Sequence, residues 1–144
     1  MKFNILIADD QRGIRDFCRQ ELEAAGYRVV SVEGGQQAID FVEQVAVDLV
    51  ILDEHMPRCG GREAAKEIKL LHPTLPIILY TADECYERYH GPWIDVVVSK
   101  SEDLMPLQRE IEKQLVMANA AARTTNDDMF SEAVEAGSRL EKVN

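Results

Sequence analysis

Apolar and polar positions alternate along this chain in blocks of two different periods. Phe3 to Ala8 is a short, nearly unbroken apolar run closed by Asp9-Asp10, the pattern of a strand buried on both faces. Ile14, Phe17, Cys18, Leu22 and Ala25 then recur at helical spacing until Gly26, which predicts an amphipathic helix from about residue 12 to 25. Tyr27 to Val32 is β-branched and apolar, a second strand, and Glu33-Gly34-Gly35 is a turn. Ala38, Ile39 and Val42 mark a second helix. The aliphatics Leu49 to Leu52 form a third strand that stops on Asp53, and Pro57, with no N–H to donate, ends any continuation. Gly60-Gly61 leads into a helix with Ala64, Ala65, Ile68 and Leu71, closed by His72-Pro73. Pro76 to Thr81 and Asp95 to Ser99 read as two further strands, with room between Ala82 and Pro92 for only a short helix. Leu104, Leu107, Ile111, Leu115 and Ala118 mark a long closing helix.

Strand and helix thus alternate five times, which predicts an α/β fold, a parallel sheet with helices on both faces joined by right-handed crossovers. The alternating unit is expected to span residues 1–118. Residues 119–144 begin polar and small, then show a helical stripe at Phe130, Ala133, Val134, Gly137 and Leu140. This tail is too short for a second domain. It fits a helix on the domain, a helix on a second copy (a homodimer), or a disordered segment.

Composition narrows the function classes. The net charge of −10 over 144 residues argues against nucleic-acid binding, which needs clustered Lys and Arg. No basic recognition helix follows the closing helix, so an output domain is not expected within these residues. No apolar run approaches the roughly 20 residues of a membrane span, and the first residues lack the pattern of a signal peptide, so a cytoplasmic location is expected. Cys18, Cys59 and Cys85 are scattered, neither a disulfide framework nor a zinc site.

The chemistry gathers at strand ends. Asp9-Asp10 follow the first strand, Asp53 the third, Thr81 closes the fourth and Lys100 follows the fifth. In a parallel sheet these ends share one edge, where ligands bind. Carboxylates about 4 Å apart repel by about 4 kcal/mol per pair near a protein surface unless a cation intervenes. An all-oxygen donor set suits a hard divalent ion such as Mg²⁺. Taken singly, Asp10 fits an N-cap, Thr81 a strand end and Lys100 a solvated charge; their joint placement at one edge points to a site.

The residues Ile7-Ala8-Asp9-Asp10, Leu52-Asp53-x-x-Met56-Pro57 with Gly61 eight after the aspartate, Tyr80-Thr81-Ala82 and Ser99-Lys100 resemble the receiver domain of two-component response regulators. The match runs from residue 3 to about 118. The resemblance implies a flavodoxin-like (βα)5 fold with strand order 2-1-3-4-5. It implies that Asp53 is the phosphoacceptor for a sensor histidine kinase or phosphotransfer protein. Asp10 and Asp53 would bind Mg²⁺ (or Mn²⁺) directly, Asp9 mainly through water, and the His55 backbone carbonyl would complete the protein ligands. Lys100, the Thr81 hydroxyl and the Ala82 N–H would neutralise the phosphoryl oxygens. His55 and Asp83 fall at positions that tune acyl-phosphate lifetime.

Such a chain assists its own phosphorylation and dephosphorylation rather than acting as an enzyme on other substrates. It signals by protein–protein contact to a downstream target that the sequence does not name. Three departures concern the signalling side. Val97 stands where the family carries an aromatic switch residue, Ser101 where it carries a proline, and the Thr81-to-Lys100 interval is short. Two rival functions remain: a pseudo-receiver that binds partners without phosphorylation, and a hydrolase with an aspartyl-phosphate intermediate. The hydrolase would need a second acid where His55 stands.

Overall fold

The structure is a computed structural model that describes residues 2–83, 91–118, 130 and 134. The five apolar runs become β1 (Asn4–Ala8), β2 (Arg28–Val32), β3 (Leu49–Leu52), β4 (Ile77–Thr81) and β5 (Val96–Ser99). The helical stripes become α1 (Arg12–Ala24), α2 (Gly35–Gln44), α3 (Gly61–Leu71) and α4 (Met105–Met117). All strands pair in parallel, in the order β2-β1-β3-β4-β5, as the resemblance implied. The short helix expected between Ala82 and Pro92 lies mostly outside the described residues, as do Cys85 and all of the tail except Phe130 and Val134.

Every residue of β1, β3 and β4 is buried, because alternate side chains feed two cores. Leu6, Val50, Leu52, Ile77 and Leu79 point to one face, where α2 brings Ala38, Ile39 and Val42 and α3 brings Ala64, Ala65 and Ile68. Ile5, Ile7, Leu49, Ile51 and Ile78 point to the other, where α1 brings Cys18 and Leu22 and α4 brings Leu107, Ile111 and Leu115. Each such aliphatic side chain stabilises the fold by about 1.5–3 kcal/mol relative to an exposed one. This two-sided burial is why the central strands read as continuous apolar runs rather than alternating ones.

The α1 stripe differs from expectation at two positions. Phe17 is 40% exposed, whereas Arg15 is only 3% exposed. The buried face of α1 is Arg15, Cys18 and Leu22, so Arg15 takes the inner position that the apolar stripe gave to Ile14 and Phe17. The guanidinium is drawn in by a backbone carbonyl at the end of β1. At the far end of the chain, Phe130 is fully buried and packs into the core on the α2 and α3 side.

Candidate functional site

Three residues just past the strands extend the ladder by one bond each. Asp9 N–H donates to the Val32 carbonyl at 3.1 Å, Asp53 N–H to Ala8 at 2.9 Å and Lys100 N–H to Thr81 at 2.9 Å. Their backbones are therefore fixed by the sheet, at its carboxyl edge. The carboxylates of Asp9, Asp10 and Asp53 converge there, with ligand atoms all within 4.8 Å of one another. Asp9 and Asp53 are buried and Asp10 is exposed.

The loop after Asp53 folds back tightly beneath it. Arg58 takes a left-handed conformation with φ of 68°, and Gly61 N–H donates to the Glu54 carbonyl at 3.1 Å. A Cβ on Gly61 would lie 2.5 Å from the Asp53 carbonyl oxygen and 2.8 Å from Leu79 Cδ1. The start of α3 thus abuts the Asp53 peptide, and only glycine fits.

Lys100 balances the acids. Its Nζ lies 2.7 Å from Asp9 Oδ2 and 3.3 Å from Asp53 Oδ2. Burial disfavours its charge, but the hydrogen bond to Asp9 and the charges of Asp53 and Asp9 outweigh it, so the Lys100 pKa stands above the ordinary amine value. Asp53 is also shifted upward, first by burial and then by the charge of Asp9, against the opposing pull of Lys100. One ammonium does not fully offset burial and the neighbouring carboxylates together.

Asp9 is held at several points. Its Oδ1 accepts from Gln11 N–H at 2.9 Å, and its carbonyl accepts from Arg15 Nη1 at 2.8 Å. Arg15 Nη2 also lies 3.9 Å from Glu33 Oε1, tying the β1–α1 loop to the β2–α2 loop. The motif positions did not reveal this support. Its signal was an arginine at three and seven residues before Cys18 and Leu22, on the inner face of α1. Arg15→Met keeps most of the packing but leaves the buried Asp9 carbonyl unpaired, and is expected to cost about 1–3 kcal/mol of stability in urea titrations.

The remaining predicted residues divide by position. Thr81 is fully buried, and its Oγ1 accepts from Asp83 N–H at 3.2 Å. His55 Nε2 pairs with Asp83 Oδ2 at 3.2 Å. Asp10, Asp53, His55, Ala82 and Lys100 line an open cleft of about 580 Å³ that continues over Ile14 and Phe17, which gives the exposed Phe17 ring a place at the rim. Val97 does not line this cleft. It pairs with Leu79 in the β4–β5 register, two residues before the Thr81–Ser99 pair, and packs on the α2 and α3 core. At Ser101, where the resembled family carries a proline, the N–H donates to the Tyr80 hydroxyl at 3.4 Å.

This chain matches the response regulator receiver domain over residues 5–111. It belongs to that family. Response regulator MprA of Mycolicibacterium vanbaalenii is 32% identical over 129 residues, covering 89% of this chain and 54% of that protein. MprA of Mycobacterium bovis is 30% identical, covering 93% and 56% respectively. The chain therefore spans about half the length of the curated relatives it matches. Among solved structures, response regulator TrrA of Thermotoga maritima in complex with Mg²⁺-BeF is 36% identical with a TM-score of 0.74, covering 79% of this receiver and 99% of that chain. TrrA is also similar as solved in complex with the histidine kinase ThkA, with a TM-score of 0.73, 36% identity, and coverage of 80% and 99%. The receiver is thus a two-component signalling domain. No described helix is long and apolar enough to cross a membrane.

Proposed function

We propose that Asp53 accepts a phosphoryl group from the phosphohistidine of a sensor histidine kinase or phosphotransfer protein, in a Mg²⁺-dependent reaction, and that the phosphorylated receiver signals by protein–protein contact. The observation that carries this reading is the buried Asp53 carboxylate at the edge of an open cleft, 3.3 Å from Lys100 and beside two further acids. The solved TrrA complexes with Mg²⁺-BeF and with a histidine kinase support it by similarity.

The donor set fits a hard divalent cation. It is all oxygen, its three carboxylates lie within 4.8 Å of one another, and burial together with the charge of Asp9 raises the Asp53 pKa despite Lys100. Asp9, Asp10 and Asp53 would hold the ion, with the His55 carbonyl as a further ligand. The ion supplies charge neutralisation at the phosphoryl group when bound. A carboxylate oxygen of Asp53 attacks phosphorus, the phosphorus–nitrogen bond breaks, and the electron pair leaves with the imidazole. The Lys100 ammonium, the Thr81 hydroxyl and the Ala82 N–H neutralise the phosphoryl oxygens, so the protein's work is positioning and electrostatics. For Thr81 this means turning from Asp83 towards the new charge, which transmits the event into the β4–β5 face where Val97 sits. His55, which lines the same cleft and pairs with Asp83, sets water's access to the acyl phosphate.

The test uses acetyl phosphate as a small donor and intact mass as the readout. With Mg²⁺, one phosphoryl group is expected per chain, and none with excess EDTA. Equal incorporation under both conditions, or none under either, would overturn the reading.

A further inference from the structure

Phe130 lies outside the alternating strand–helix unit, yet it has no exposed surface. Its ring meets Phe41 of α2 edge to face, with centroids 6.2 Å apart and planes at 89°. On another side the Arg28 guanidinium carbon lies 5.6 Å from the ring centroid. Val134, four residues on in helical backbone, packs against the same core. These contacts are chemically selective, because an aromatic ring offers its edge to another ring and its electron-rich face to a cation.

The location is equally specific. Arg28 opens β2, an edge strand of the sheet, so the recess sits at the amino edge, opposite the carboxyl edge that carries Asp53. The last regular element before Phe130 is α4, and it packs on the other face of the sheet. Residues 119–129 separate it from Phe130. Eleven residues reach at most about 36–40 Å when extended, enough to pass from one face of a small domain to the other.

We propose that the recess between Arg28 and Phe41 is a docking site for an aromatic-anchored segment, and that its occupant is this chain's own C-terminal segment, bound in cis through Phe130. While Phe130 is seated there, it keeps the Phe41 face of α2 from partners. This docking is independent of phosphoryl transfer at Asp53.

The 144-residue wild-type chain and its Phe130→Ala and Phe130→Leu variants are compared by amide hydrogen exchange, thermal melting and light scattering over a wide concentration range. Phe130→Ala is expected to raise exchange in β2 and α2 at least about tenfold with little change in β4, and to lower the melting temperature by about 5–15 °C. Phe130→Leu is expected to raise the same exchange several-fold, and it carries the test if the alanine variant does not fold. A synthetic peptide of residues 124–144 added to Phe130→Ala should restore β2 and α2 protection saturably, whereas the same peptide with Phe130→Ala should not. Wild type should scatter as a monomer throughout. Unchanged exchange in both variants would overturn the proposal. So would a wild-type dimer that Phe130→Ala abolishes, because the occupant would then come from a second copy.

Discussion

Replacing Asp53 with asparagine is expected to abolish phosphoryl uptake and to raise the melting temperature at neutral pH. The first effect removes the nucleophile and should lower incorporation by on the order of a thousandfold or more, read by intact mass after exposure to acetyl phosphate and Mg²⁺. The second follows from electrostatics. Asp53 is shifted upward by burial and by Asp9, so its ionised form is less favourable in the folded chain than in the unfolded one. The folded chain holds that proton more tightly, and the stability this provides is present below the ordinary carboxylate pKa and lost as pH rises through the raised value. At neutral pH the wild type has therefore lost it, while neutral asparagine has no charge to bury. Lys100 keeps its shorter contact, 2.7 Å to Asp9. A gain of about 2–4 °C is expected, narrowing as the pH falls through the window above the ordinary carboxylate value. A variant with lower stability at neutral pH would contradict this account of the acid cluster.

Gly61→Ala should be the most damaging small substitution next to the site. The added methyl would meet the Asp53 carbonyl oxygen at 2.5 Å and Leu79 Cδ1 at 2.8 Å. The first neighbour is backbone, anchored by the Asp53 N–H bond to Ala8. The second belongs to a fully buried strand residue. Neither can yield cheaply, so a loss of about 1–3 kcal/mol is expected from overpacking. Because the displaced group is the Asp53 peptide itself, phosphoryl uptake should fall as well. Denaturant titration and incorporation assays on the folded fraction separate the two effects. Full stability together with full uptake would show that α3 does not constrain Asp53.

The fold was legible because the central strands carry aliphatics on both faces, and the helices between them carry apolar stripes. Element ends could be placed to within a residue or two wherever an acid or a glycine broke the run, as at Asp9, Gly26 and Asp53. The strand order came from the resemblance, since periodicity alone does not say which strands are neighbours. In the site, Asp9, Asp10, Asp53 and Lys100 are brought together as their positions at strand ends implied. Arg15 and Phe17 were not legible. A hydrophobicity pattern sends the ring inside and the guanidinium out, and only the buried Asp9 carbonyl reverses that preference. The setting of Phe130 was hidden for a related reason. Its helical stripe was visible, but the partner surface is made by Arg28 and Phe41, about ninety to a hundred residues away in the chain.

Among the three clustered acids, Asp53 alone is expected to receive the phosphoryl group. Acyl phosphates are reduced by borohydride to the corresponding alcohol, which marks the modified residue permanently. The receiver should therefore be treated with acetyl phosphate and Mg²⁺, reduced with borohydride, digested and sequenced by mass spectrometry. A reduced side chain is expected at Asp53 and nowhere else. Reduction at Asp9 or Asp10 instead, or an unmodified Asp53 in protein that has taken up phosphate, would contradict it.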